Sequence, residues 1–258
     1  MGLIKTDKQY DNLITFGCSF THGHFLGEEG SWGFQLSKLL NCNHVNRGAG
    51  GSSNYAIMNK VIKYCETHDV TNSCIGVQWS EITRREVWSE EEKKYVVFNL
   101  NTLKLYDKNK TSSIPLDVDK LFKNKEFFEP MWFDLEENTI RTIQSIILLK
   151  NYLLSKNIDF IMFEGIGSIM DQFYPYDFEF PITNFEDDRI LLKDNIREDV
   201  ISDKTFFTKY GPMMSFMLNH QLFNSEKNDN HPNMEFVKWW VTEMYNYIKQ
   251  KNEETDSN

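Results

Sequence analysis

The sequence has little cysteine, no excess of basic residues and no long apolar run. Its four cysteines are too few for a disulfide-stapled scaffold of this size, and they lack the CxxC spacing and paired His that would suggest a zinc site. Lys and Arg number 28 against 38 Asp and Glu, a formal net charge of −10, so sequence-independent nucleic-acid binding is not expected. No apolar stretch approaches the ~20 residues that span a bilayer, and the first residues lack the apolar core of a signal peptide. We therefore expect a cytoplasmic protein with free thiols and no membrane insertion.

The chain does contain the ingredients of an ordinary globular protein, with 40% hydrophobic and 26% charged residues among its 258. Short apolar runs alternate with longer amphipathic ones. The runs predict buried strands at 12–16, 44–46, 73–79 and 159–164, and the periodic stretches predict helices at 31–40, 54–65, 139–155 and 235–249. Such alternation favours a mostly parallel sheet with right-handed crossovers. We predict a flavodoxin-like three-layer α/β/α fold.

Two stretches interrupt the alternation, at about 87–131 and 165–209. The first contains YVVFNLNTLKLYD, which predicts a hairpin within residues 95–107, and the second is rich in Phe, Tyr, Asp and Pro. Long irregular segments in a compact domain are often functional, so we expect both to form walls of the substrate pocket. We predict a single domain over residues 1–250, which includes both stretches, and a flexible polar tail at 251–258.

Four polar clusters follow predicted strands or precede the last helix, at 17–21, 46–54, 78–85 and 229–232. Ligands of α/β sheets bind beyond the carboxyl ends of the strands, so these clusters are candidates for one site. Ser19 follows a strand and a glycine, in a turn that can expose its hydroxyl. The Gly-rich second cluster supplies backbone N–H groups suited to an oxyanion. His231 offers an imidazole, with Asp229 two residues earlier.

In this order the clusters resemble the motif blocks of the SGNH (GDSL-type) hydrolases. The family's Gly-Asp-Ser block corresponds to Gly17-Cys18-Ser19, and its Asn-x-Gly-x-x-Gly block to Asn46 through Gly51. Its last block, Asp-x-His-Pro in the shorter form, corresponds to Asp229 through Pro232. The resemblance implies a catalytic triad of Ser19, His231 and Asp229. It also implies an oxyanion hole formed by the backbone N–H groups of Ser19 and Gly51, and no metal or organic cofactor.

Two positions depart from the family pattern. Cys18 replaces the Asp that precedes the nucleophile, and the third block lacks the Asn whose side chain donates to the oxyanion. Ser80 lies about where that Asn would fall, and Asn54 is the alternative donor. Loss of one such donor typically costs ~2.7–4 kcal/mol of transition-state stabilisation. In the same cluster, Trp79 and Arg84 are the candidates for substrate contact, Arg84 for an anionic group.

Each motif also has an ordinary structural interpretation. His231 could be a helix-entry residue with Asp229 as its N-terminal cap, and Cys18 could be either a nucleophile or an inert buried thiol. His22 and His24 lie near the Ser turn but lack further ligands at metal spacing. The leading hypothesis is a serine esterase that cleaves a carboxylic ester, such as an O-acetyl or short acyl group on a carbohydrate or lipid. The alternatives are an inert binding or structural protein of the same fold and an acyltransferase with the same Ser-His pair.

Overall fold

A parallel sheet forms the centre of the computed structural model, which describes residues 2–91, 93–98, 135–166, 200, 203–209, 212–220, 222 and 231–256. Within these residues the sheet has four strands: β1 (Asn12–Phe16), β2 (Asn43–Asn46), β3 (Ser73–Trp79) and, later in the chain, β6 (Asp159–Glu164). Their order across the sheet is β2-β1-β3-β6, and every pairing is parallel. The predicted strands and their parallel arrangement are confirmed.

Helices cover both faces of this sheet. They are α1 (Ser19–His22), α2 (Trp32–Leu39), α3 (Asn54–Thr67), α4 (Leu135–Ser155), α5 (Met213–Asn219) and α6 (Met234–Asp256). One core contains Trp32 of α2, Trp240 of α6 and Phe163 of β6. The other contains Ile57 of α3, Ile146 of α4 and Ile75 of β3. The three-layer α/β/α prediction is therefore confirmed.

Strands β3 and β6 are buried along their whole length, as a strand covered on both faces must be. Their continuous apolar runs were the sequence signal that predicted them. The free edge of β6 is covered by two short segments of chain. Phe160 donates its N–H to the Gly2 carbonyl, and Met162 donates to the Thr205 carbonyl at 2.8 Å. These bonds satisfy backbone groups that an exposed edge strand would leave open.

The last helix corrects the prediction of a flexible tail at 251–258 for residues 251–256, the part of that tail that the structure describes. Helix α6 continues to Asp256, beyond the predicted end at residue 249. Asn252 Nδ2 donates to the Ile4 carbonyl at 3.2 Å, and Lys251 pairs with Glu254 one turn later at 2.7 Å. The polar composition of this segment reflects an exposed helical surface, and pairs at this spacing support helix.

The first interruption begins as a two-stranded antiparallel hairpin. Strand β4 (Arg85–Ser89) pairs with β5 (Lys94–Phe98), so residues 95–98 have a partner upstream of the predicted hairpin, whose remaining residues 99–107 lie outside the described part of the chain. Residues 99–134 and 167–199 lie outside the described part of the chain, and with them most of the predicted pocket walls. No helix among the described residues is long and apolar enough to cross a membrane. All four cysteines are free thiols.

We predict that Gly76→Ala lowers the free energy of unfolding by about 1–3 kcal/mol, the usual cost of overpacking a core. A Cβ at Gly76, in the middle of β3, would lie 2.6 Å from Cη2 of the fully buried Trp32. Gly50→Ala is the matched control, because a Cβ there meets nothing within 4 Å. Urea denaturation of both variants measures the difference, and equal stabilities would contradict the packing described here.

Candidate active site

The carboxyl ends of β1, β2 and β3 bring three of the four predicted polar clusters to one edge of the sheet. Strand β1 leads through Gly17 and Cys18 into α1, whose first residue is the half-buried Ser19. As the first residue of a helix, Ser19 has a backbone N–H that cannot bond within that helix. Strand β2 ends at Asn46, and β3 ends just before Ser80. Nucleophile candidate and oxyanion candidates therefore follow adjacent strands.

A buried chain of hydrogen bonds holds the Ser19 turn against β3. Trp32 Nε1 donates to Thr21 Oγ1 at 3.0 Å, and the Thr21 hydroxyl donates to Gln78 Oε1 at 2.5 Å. Gln78 Nε2 in turn lies 3.4 Å from Cys18 Sγ. A side chain at Gly165 would overlap the Gln78 amide, so glycine is required there for the amide to fit. Gln78 therefore contacts the turn at Cys18, just before Ser19, and at Thr21, just after it.

The loop after β2 is fastened to the same turn. Asn46 Nδ2 donates to the Thr21 carbonyl at 2.9 Å, while Asn46 Oδ1 accepts the Gly48 N–H at the same distance. The Ala49 N–H donates to the Gly17 carbonyl at 3.0 Å. Gly51 follows with a φ of 77°, a left-handed conformation that favours glycine. The Asn and Gly positions of this loop thus have a direct structural role around Ser19.

His231 reaches this turn from the far end of the chain. Its ring lies 5.2 Å from the Phe20 ring and 4.8 Å from the His24 ring, centroid to centroid. The N-terminus of α6 is capped by Asn233, whose Oδ1 accepts the Phe236 N–H at 2.8 Å. Asn233 therefore takes the capping role considered for Asp229, which lies outside the described residues. The imidazole therefore lies beside Phe20, which immediately follows Ser19, and beside His24 five residues after Ser19.

The two candidates for the missing third-block donor differ in their surroundings. Asn54 is buried, and its amide clasps the backbone of Ser80: Nδ2 donates to the Ser80 carbonyl at 3.0 Å and Oδ1 accepts the Ser80 N–H at 2.6 Å. Its second amide hydrogen goes to Thr142 Oγ1. With both hydrogens used, Asn54 has none left for an oxyanion. Ser80 Oγ, by contrast, is buried without a hydrogen-bond partner among the described residues.

Neither Trp79 nor Arg84, the expected substrate contacts, lines the cavity formed by His22, His24, Phe25 and their neighbours after Ser19. Trp79 is fully buried within the core between β3, α3 and α4, which leaves it no surface for a substrate. Arg84 lies 3.5 Å from Glu81 and faces a cavity of about 520 Å³ between α3, α4 and β4. Neither Ser19, Gly51 nor His231 lines that cavity. Trp79 is therefore a core residue, and the prediction that it contacts substrate is not supported by its burial.

Sequence reasoning did not assign roles to Gln78 and Phe25. The position of Gln78 at the end of an apolar central strand was the available signal, since a polar side chain buried there needs hydrogen-bond partners. Phe25 has a φ of 66° and is 46% exposed, an unfavourable combination for a large side chain. Its ring packs edge-on against that of His231 at 5.6 Å. Phe25 and His24 also line a cavity of about 510 Å³ beside the turn, together with His22, Gly23, Gly27, Glu28 and Asn46.

Two alternative chemistries depend on residues near Ser19. Cys18 is fully buried, with its sulfur against the Gln78 amide, which is the environment of an inert thiol. Among the described residues no group of three His, Cys, Asp or Glu side chains could hold a metal ion. His22 and His24 thus lack the further described ligands that a metal site requires.

A family model matches residues 24–196, about two thirds of the chain. It is that of DUF6071, a family of unknown function. The chain belongs to this family. The matched range contains the loop with Gly51 and Ser80, whereas Ser19 precedes it and His231 follows it. A comparison with curated proteins finds no match.

Solved structures with a similar arrangement include several esterases. A psychrotrophic esterase from Pseudoalteromonas is 12% identical, with a TM-score of 0.49, over 94% of this chain and 99% of its own. An acetyl xylan esterase from Butyrivibrio proteoclasticus is 13% identical, with a TM-score of 0.46, over 97% of this chain and 65% of its own. A G-D-S-L family protein from Veillonella parvula is 12% identical, with a TM-score of 0.36, over 94% and 96%. At these distances the argument for function depends on this chain's own residues.

We predict that Thr21→Val lowers the free energy of unfolding by about 2 kcal/mol or more. Valine keeps the shape of threonine but leaves the Trp32 N–H and the Gln78 carbonyl oxygen buried without a partner, at about 1–3 kcal/mol each. Thr21→Ser keeps the hydroxyl and is the matched control, with a smaller loss. Chemical denaturation compares them, and a valine variant as stable as the serine variant would remove the role given to this hydrogen-bond chain.

Proposed function

We propose that the chain is a serine ester hydrolase of SGNH type. Ser19 is the nucleophile, His231 the general base and Asp229 the carboxylate that orients His231. The substrate is a carboxylic ester, such as an O-acetyl or short acyl group on a carbohydrate or lipid. The observation that carries the proposal is the position of the His231 ring, which packs on Phe20 and His24 after more than 200 residues of intervening chain.

The surroundings of Ser19 support this chemistry. His231 takes the hydroxyl proton as Ser19 Oγ attacks the ester carbonyl, and the backbone N–H groups of Ser19 and Gly51 stabilise the oxyanion. The proton then passes to the departing alcohol, and water releases the acyl group by the same steps in reverse order. Ser80 Oγ is the third donor in this scheme. It lies three residues beyond Val77, which pairs with Phe16, and Ser19 lies three residues beyond Phe16.

The cavity beside the turn is a place for the part of the substrate away from the reacting ester, because His24 and Asn46 line it whereas Ser19, Gly51 and His231 do not. Its volume of about 510 Å³ is within the range of small-molecule sites. Phe25 and His24 supply an aromatic wall, and the strained backbone of Phe25 is of the kind that persists at functional sites. Asn46 joins this wall to the loop that carries Gly51.

An inert protein of the same fold is the second candidate, and one observation favours it. The third-block Asn is absent, and Asn54, the other amide near that position, is used to hold Ser80. An inert protein would release no product from any ester. An acyltransferase would release product in the presence of an acceptor alcohol and would use the same Ser19.

Hydrolysis of p-nitrophenyl acetate tests the proposal. We expect turnover by the wild-type protein and a loss of at least about a thousandfold in kcat/KM for Ser19→Ala and for His231→Gln, because the pair acts as a unit. His220→Gln is the matched control, since His220 is an exposed imidazole that follows α5, stacks on Phe216 and has no part in the candidate site.

The control separates the base from a general effect of removing a histidine. His220→Gln should retain most of the activity, and all variants should keep the wild-type circular dichroism spectrum. Equal losses for the two histidine variants, or full activity of Ser19→Ala, would contradict the assignment.

A further inference from the structure

A cavity with four basic side chains lies beside α3, and Asn46 lines both this cavity and the one at Phe25. We call it the basic cavity. Its volume is about 390 Å³, and it is lined by Phe16, Asn46, Arg47, Gly48, Lys60, Lys63, Tyr64, Thr67 and His68. The described lining therefore contains three permanent cations and an imidazole, and it contains no carboxylate. None of these basic residues has a role in the proposed hydrolysis.

The charge of the basic cavity is opposite to that of the protein as a whole. The formal net charge is −10, and many cations elsewhere have acidic partners, such as Lys209 with Glu243 at 2.7 Å. In the described part of the chain, Arg47 and Lys63 form no ion pair. Glu66, on the same helix, pairs instead with Lys156 at 2.9 Å. A cleft lined by charges of one sign attracts ligands of the other sign.

Several of these cationic groups are held in place by neighbours. The Arg47 guanidinium carbon lies 5.2 Å from the centre of the Tyr64 ring, a cation–π contact. The Tyr64 and His68 rings stack at 4.0 Å with 3° between their planes. Lys60 Nζ donates to Ser52 Oγ at 3.0 Å. Burial lowers the pKa of Lys60, and the charge of Glu86, which does not line the cavity, raises it. Ordering before binding reduces the entropy that a ligand must overcome.

We propose that the basic cavity binds the phosphate group of a small phosphate monoester. A guanidinium offers two parallel N–H donors to a phosphate, and lysines add point charges that match a dianion. The volume is within the range of small-molecule sites, so there is room for an organic group beside the phosphate. The proposal does not depend on Ser19, although Asn46 and Gly48 border both the basic cavity and the Ser19 turn.

Calorimetric titration in a low-salt, phosphate-free buffer tests this site. The probes are phenyl phosphate, inorganic phosphate and acetate. We expect phenyl phosphate to bind and the double variant Arg47→Gln/Lys63→Gln to weaken its binding at least about tenfold. Lys38→Gln is the matched control, because Lys38 is also an exposed lysine over an aromatic ring, 4.4 Å from the centre of Phe34. It should bind as the wild type does.

The three probes identify the chemistry of the ligand. Inorganic phosphate binding as tightly as phenyl phosphate identifies the free ion as a sufficient ligand, and weaker binding identifies the ester; either supports a phosphate site. Acetate binding as tightly as phosphate would overturn the assignment to a dianion. No heat from phenyl phosphate, or equal affinity in the wild type and the double variant, would overturn the site itself. Ser19→Ala should bind phenyl phosphate normally, which separates this test from that of hydrolysis.

Discussion

The buried chain of hydrogen bonds from Trp32 through Thr21 and Gln78 to Cys18 is the constraint on which the candidate site depends. It joins α2, the Ser19 turn and the end of the central strand β3, and all four side chains are fully buried. Because an unpaired polar group there is costly, all four residues must keep their positions together. The position of the Ser19 turn is therefore set by the core beneath it.

The second layer of the site depends on this first one. Asn46 fastens the loop that carries Gly51 to Thr21, the residue whose hydroxyl takes part in the buried hydrogen bonds. The preceding residue, Phe20, packs against the His231 ring. A shift of α1 would therefore move the proposed nucleophile, loop and base at once. The same loop continues into Arg47, so the basic cavity is attached to this arrangement through its backbone.

Sequence patterns were sufficient for the layers and for the strands because apolar runs and helical periodicity report burial directly. They placed β3 and β6 to the residue. They failed at 251–256, where a polar helix is held by contacts such as that from Asn252 to Ile4, and at Trp79, whose burial comes from distant helices. Gln78 was missed because its hydrogen-bond partners, Thr21 and Cys18, are 57 and 60 residues away in the chain. The motif blocks indicated Ser19 and His231, whereas the choice between Ser80 and Asn54 needed the hydrogen bonds of the folded chain.

Labelling with a fluorophosphonate tests the central claim most directly, because only an activated hydroxyl displaces the fluoride at a useful rate. Mass spectrometry of the digested protein should find the adduct on Ser19. The Ser19→Ala protein should remain unlabelled, and Cys18→Ala should still carry the adduct on Ser19, since the adjacent thiol is buried against Gln78 and is not the nucleophile. A folded wild-type protein that stays unlabelled, or that carries the adduct on another residue, would contradict the account.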